Sequence, residues 1–171
     1  MHHDARWRQE FEQTRSGLLQ ACQGRVVTVE HIGSTAIGGI IAQPVIDAVA
    51  VIADPVDFRD AVLLIEGLNF ITVSSPAWMQ RFEGHGQQAM LSKPRHGEAT
   101  HRLYLVTQGS ILLEQTIRFR DRLRANPEMA IGFETAKVNA WRRTEGVASD
   151  YEAAMASIFD DFQSMGGQPS D

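Results

Sequence analysis

The chain is short of three things, and each shortage excludes a class of protein. Cys22 is its one cysteine, so no intramolecular disulfide can form and a reducing compartment suits it. No apolar run approaches the roughly 20 residues that span a bilayer, and the first residues are too polar for a secretory leader. Lysine is nearly missing: Lys93 and Lys137 are the only two among sixteen basic side chains, and the rest are arginines. With a net charge of −5, the chain lacks the basic excess that a nucleic-acid backbone recruits. The expectation is a cytoplasmic protein with no membrane partner and without nucleic acid as its main partner. The arginine bias suits bidentate phosphate contacts, but genomic base composition, which also explains the many alanines, is the preferred account of the overall bias.

What is present is ordinary for a globular domain: 171 residues, 43% hydrophobic and 22% charged, enough for one sizeable core over residues 1–171. Trp7, Phe11, Leu18 and Cys22 recur at helical spacing from Asp4 to Cys22, which predicts an amphipathic first helix. Arg25–Ile32 alternates and is β-branched, a strand, while Val45–Ile52 is almost uninterrupted apolar sequence, a strand covered on both faces. Asp54-Pro55 reads as an N-cap with proline at the first helical position, opening a helix to about Glu66, and Phe70–Val73 is a short strand. Gln80–Glu83 and Gln88–Ser92, joined through Gly84-His85-Gly86, read as a hairpin, with Thr100–Thr107 as a further strand. Helices are expected from Ser110, from Pro127 to Arg143, and from Ser149 to Met165, ahead of a tail at 166–171.

The densest local chemistry lies between His31 and Ile52, HIGSTAIGGIIAQPVIDAVAVI. A strand ends in Gly33-Ser34, a glycine-rich turn follows, and the chain re-enters the core on an apolar strand that carries one carboxylate, Asp47. Glycine admits backbone N–H groups close to a phosphate, serine adds a donor, and an acidic residue on the next strand can hold the accompanying magnesium. A plain strand-to-helix turn with Ser34 as its N-cap uses the same residues. Asp47 in an apolar strand must be paired, hydrogen-bonded or metal-bound, because a lone desolvated charge costs too much.

Three stretches occur in a telling order: Ile32-Gly33-Ser34-Thr35-Ala36 with Pro44-Val45-Ile46-Asp47; Thr100-His101 before Leu103; and Phe119-Arg120-Asp121 with Leu123, Arg124 and Pro127. Across most of the chain they resemble the GrpB family of the nucleotidyltransferase superfamily. That resemblance implies an α/β (α+β), nucleotidyltransferase-like fold, a mixed β-sheet flanked by helices with further helices at the C-terminus. It also implies a nucleotide or similar phosphate compound at Gly33, Ser34 and Thr35, and a divalent metal, magnesium first, on Asp47. Arg120, Arg124 and Lys137 match the family pattern too, as a cationic wall over the cleft; an intrahelical ion-pair reading stands beside it, and is preferred for Arg118 and Arg122.

The sequence departs from the family in three places. Two carboxylates two positions apart share one strand face and hold metal in the superfamily, but the residue two beyond Asp47 is Val49. Gln43 stands where a lysine is usual, and Arg102 and Tyr104 where further histidines are common. A substitute ligand would come from another strand: Glu30, Glu98, His31 and His101 qualify by type, with His31 and His101 ranked first. Imidazole ligands move the preference from magnesium towards zinc, manganese or nickel, although a lone histidine is more often a hydrogen-bonded structural residue. Trp78, Arg81 and Phe82 suit either a nucleobase or the core. Cys22, on the apolar stripe of a helix, is not expected to be a nucleophile.

Three functions follow as expectations. The first is a metal-dependent nucleotidyltransferase with Asp47 as the catalytic metal ligand, Gly33 and Ser34 on the phosphates and arginines neutralising developing charge. A second is a non-catalytic binding or accessory module that keeps the fold without the full metal site, favoured by Val49 and Gln43; the resemblance connects it with coenzyme A metabolism or protein folding. Last is a transition-metal hydrolase built on His31, Asp47 and His101.

Overall fold

Helical and two-residue periodicities lay out most of the fold in the computed structural model, which describes residues 5–37, 45–82, 84 and 86–144. The first helix, α1 (Ala5–Ala21), buries Trp7, Phe11 and Leu18 on one stripe, as their spacing requires. It leads into β1 (Val26–Ile32), a 3-10 turn at Ser34–Ala36, and β2 (Ile46–Ile52). Asp54 caps the next turn by accepting a hydrogen bond from the Val56 amide at 3.0 Å, and α2 (Phe58–Glu66) and β3 (Ile71–Val73) follow. Beyond them come α3 (Ala77–Gln80), β4 (Gln88–Lys93), β5 (His101–Thr107), α4 (Ile111–Ala125) and α5 (Pro127–Arg143). Ser110 caps α4, accepting from the Leu112 amide at 3.2 Å.

The strands make one mixed sheet in the order β1-β2-β5-β4-β3. Only the central β2·β5 pair is parallel; the others are antiparallel. Alternation divides β2 between two cores: Ile46, Ala48, Ala50 and Ile52 pack with α1 and α2, while Val49 and Val51 pack with Tyr104, Val106, Met79, Phe82 and Leu112 on the opposite face. A third cluster, including Phe119, Leu123 and Phe133, joins α4 to α5. The fold is therefore the expected mixed sheet flanked by helices. Among the described residues no helix is long and apolar enough to cross a membrane.

One element differs from the sequence reading. Where Gln80–Glu83 is expected to form the first arm of a hairpin, Gln80 ends the short helix α3, Arg81 and Phe82 continue as a turn, and β4 pairs with β3 and β5 instead; Glu83 lies outside the described residues. Burial explains this: Met79 and Phe82, three residues apart, both enter the core at 0% and 4% exposure, a spacing that a helical turn satisfies and an alternating strand does not. The Pro76 carbonyl accepts the Met79 and Gln80 amides to close that turn. The helix expected over 149–165 and the tail at 166–171 lie outside the described residues.

Candidate functional site

The candidate site grows from the end of β1. Gly33 turns the chain with φ of 74°, and a Cβ built there would stand 2.7 Å from Oδ2 of Asp47. A side chain at this position would collide with the carboxylate, so the backbone can lie against it only because the residue is glycine. Ile32 is the register partner of Asp47 on β1, and Arg102 is its partner on β5.

Strand parity then selects the neighbours. Asp47 and Val49 on β2 point to the same side as Arg102 and Tyr104 on β5, because Asp47 pairs with Arg102 and Val49 with Tyr104. The Tyr104 hydroxyl donates to Asp47 Oδ1 at 3.2 Å, and Arg102 Nε forms an ion pair with the same oxygen at 3.3 Å. Trp78 meets the Tyr104 ring edge-on, with centroids 5.1 Å apart. Burial pushes the Asp47 carboxyl above its ordinary range, while the Arg102 charge, the Tyr104 hydrogen bond and the Lys137 charge pull it back. Lys137 of α5 is in turn held below the usual lysine value by burial, with Glu134 and Asp47 acting in its favour and Arg102 against it.

Parity separates the expected histidines from Asp47. His31 stacks on Phe11 of α1, centroids 4.5 Å apart, and its Nε2 lies 2.9 Å from the Thr35 hydroxyl. His101 is in register with Ile46, which belongs to the same α1-side core. Both therefore lie on the face opposite Asp47, and the expected ligand set of His31, Asp47 and His101 is not assembled. That removes the basis for the hydrolase reading. Among the described residues no three histidine, cysteine, aspartate or glutamate side chains gather to hold an ion. Glu30 does share the Asp47 face but is bound by Arg120, and Glu98 lies in an exposed loop. A single carboxylate with a guanidinium at 3.3 Å and a lysine charge acting on it does not fit a magnesium site of the expected kind, because the two cations repel a third.

The expected cationic wall is also rearranged. Arg120, its side chain 11% exposed, donates to Glu30 Oε2 at 2.9 Å, to the His31 carbonyl at 3.0 Å and to Asp121 Oδ1 at 2.9 Å. Arg124 donates through Nε to the Ala36 carbonyl at 2.7 Å. These two arginines strap α4 to the end of β1 and to the 3-10 turn, so they hold the turn in place. The Thr35 hydroxyl is likewise used internally, donating to the Val45 carbonyl at 3.3 Å and facing His31. Arg118 makes an exposed pair with Glu114 at 2.7 Å, a solvated face as expected.

The structure thus brings Gly33, Arg102 and Tyr104 against Asp47, with the Lys137 charge also acting on the carboxyl. Arg102 and Tyr104 enter the sequence reading only as departures from a family pattern. Their two-residue spacing on an alternating strand puts them on one face, but only the β2·β5 register puts that face beside Asp47. Together the groups offer a guanidinium for an anion and a carboxyl that holds its proton more firmly than an exposed aspartate.

A family model described as "GrpB protein" matches residues 1–164. A UPF0157 protein of Streptomyces coelicolor is 30% identical over 168 residues, covering 96% of this chain and 82% of the relative. The glutamate-rich protein GrpB of Alkalihalophilus pseudofirmus is 28% identical over 140 residues, covering 80% and 77%. The crystal structure of the conserved protein GrpB from Enterococcus faecalis shares the fold, with a TM-score of 0.77 at 21% identity over 98% of this chain and 99% of that one. With its family model, its relatives and its fold in agreement, this chain belongs to the GrpB family.

Proposed function

We propose that this GrpB protein is a binding module for a phosphate-bearing small molecule, a nucleotide or coenzyme A being the leading candidates, and that it does not transfer a nucleotidyl group through a metal pair. The observation that carries this reading is the state of Asp47: its carboxylate already faces Arg102 at 3.3 Å and the Tyr104 hydroxyl at 3.2 Å. Val49, at the position a second metal-binding carboxylate would take, is fully buried in the core at 0% exposure. In place of metal ions, the site has the charges of Arg102 and Lys137.

A phosphate entering this site pairs with Arg102 and Lys137 and competes with Asp47 for them. The bound anion raises the cost of an ionised Asp47, so the carboxyl takes up a proton as the ligand binds. Gly33 keeps the wall behind the carboxylate thin, and Trp78 and Tyr104 supply an aromatic flank against which a base can rest.

The test is a thermal-shift titration of the whole chain with ATP, GTP, CTP, UTP and coenzyme A, in magnesium and in EDTA, repeated for Asp47→Ala and Arg102→Met. A ligand at 100 times its dissociation constant adds about 2.7 kcal/mol of apparent stability. The expected outcome is a shift that survives EDTA, is kept or enlarged in Asp47→Ala and is lost in Arg102→Met. A magnesium-dependent shift abolished by Asp47→Ala would restore the transferase reading, and no shift with any ligand would sink nucleotide and coenzyme A binding together.

A further inference from the structure

On the sheet face turned away from Asp47, one stripe of α1 and the adjoining ends of β4 and β5 line a cleft of about 660 Å³, within the size range of small-molecule sites. The stripe is Arg6, Glu10, Gln13, Thr14 and Gly17, and its spacing of three and four residues puts it on one side of the helix. Trp7, Phe11 and Leu18 are the buried stripe beside it, so α1 turns polar side chains to the cleft and apolar ones into the core. Across the cleft stand Lys93 and His101, direct partners on β4 and β5.

Two opposite charges face this cleft without meeting. Glu10 is exposed and Lys93 half-buried, and among the described residues no ion pair or side-chain hydrogen bond engages either one. The contact of the Lys93 ammonium is with the Phe70 ring, 5.9 Å from its centroid. Arg6 lines the cleft too, but it already has an interaction of its own, so the charges open to a ligand are one of each sign. The Thr100 hydroxyl, 2.8 Å from Nδ1, orients the His101 imidazole. Burial and the Lys93 charge hold that ring below its ordinary value, with Glu10 acting the other way, so His101 adds a polar nitrogen to the cleft and no charge at neutral pH.

We propose that this cleft is a second ligand site, separate from the Asp47 site, which binds a small zwitterion, an ammonium and a carboxylate carried on one molecule as in an amino acid, with the ammonium on Glu10 and the carboxylate on Lys93. A simple anion would pair with Lys93 and be repelled by Glu10, and a simple cation would meet the reverse. A zwitterion makes a charge-assisted contact with both at once. Gln13, Thr14 and Thr100, which also line the cleft, supply neutral donors and acceptors around the two heads.

The probes are the straight-chain amino acids from glycine to ε-aminocaproate, which differ only in the separation of their two charges, titrated into the whole chain and followed by NMR at the His101 ring. At least one length is expected to bind at a single saturable site, about tenfold or more tighter than the amine or the carboxylic acid of the same chain length. Glu10→Gln and Lys93→Met are each expected to weaken it by a similar factor. In Glu10→Gln the zwitterion should lose its advantage over the carboxylic acid, and in Lys93→Met its advantage over the amine. Melting temperatures check that both variants fold, and Lys93→Gln serves if the methionine variant does not. No saturable binding at any length, equal affinity for the zwitterion and one of its single-charge analogues in the wild type, or wild-type affinity in either folded variant overturns the proposal.

Discussion

A Cβ built on Gly33 would stand 2.7 Å from Oδ2 and 3.0 Å from Cβ of Asp47, so the turn after β1 and the carboxylate on β2 occupy their places together. Gly33→Ala is expected to destabilise the fold by about 2 kcal/mol or more, combining a left-handed φ of 74° with that collision. Gly24→Ala separates the two effects, because Gly24 has φ of 88° and nothing within 4 Å of a built Cβ; it should cost about 1 kcal/mol. Urea unfolding of both variants, and of Gly33→Ala combined with Asp47→Ala, checks the difference. The double variant should lose less than the sum of the two single losses.

The raised Asp47 carboxyl makes stability fall as pH rises. The folded chain holds this proton more firmly than the unfolded chain, so the penalty for ionising Asp47 appears as pH climbs from about 3.9 through the folded value. Asp47→Asn is therefore expected to be more stable than the wild type at pH 7, with the gap closing below about pH 3.9. Guanidinium melts of both proteins between about pH 3 and 8 measure the gap; a variant less stable at neutral pH and equal at acid pH would reverse the sign.

Arg102 and Lys137 both favour the ionised form of Asp47, Arg102 more strongly. Arg102→Met should move the Asp47 titration to higher pH, and Lys137→Met should move it the same way by less. Carbon-13 NMR of the Asp47 carboxyl follows both. An unmoved titration in Arg102→Met means that the 3.3 Å ion pair is not maintained in solution.

Arg120 is expected to matter for stability at positions far from it in sequence. It joins α4 to Glu30 and to the His31 carbonyl with 11% of its side chain exposed. Removing it leaves a carboxylate and a carbonyl without their donor, and because Glu30 is about a third exposed water recovers part of the loss. Arg120→Met should cost about 2 kcal/mol. It should also speed hydrogen exchange at the Ala36 amide, which bonds the Gly33 carbonyl at 3.1 Å. Arg120→Lys cannot reproduce the forked contacts and should recover little.

Much of the fold was legible because its signals are local. Trp7, Phe11 and Leu18 mark α1, Leu112, Thr116, Phe119 and Leu123 mark α4, and Asp54 announces the turn it caps. The hairpin expected at 80–92 failed where a local pattern competed with burial: Met79 and Phe82 needed the spacing of a helical turn to reach the core.

The candidate site divides along the same line. By itself the sequence determined that Gly33 and Asp47 are anomalies, a glycine at a strand end and a charge in an apolar strand, and that no second carboxylate follows at Val49. Only the tertiary structure decided who their neighbours are. Asp47 is in register with Arg102, and Ile46 with His101, so alternation delivers the guanidinium to the carboxylate and sends the imidazole to the opposite face. The two strands are separated in the chain by α2, β3, α3 and β4. Which residue of one meets which residue of the other is set by how both faces of the sheet pack, and a shift of one position would exchange every side chain between the faces.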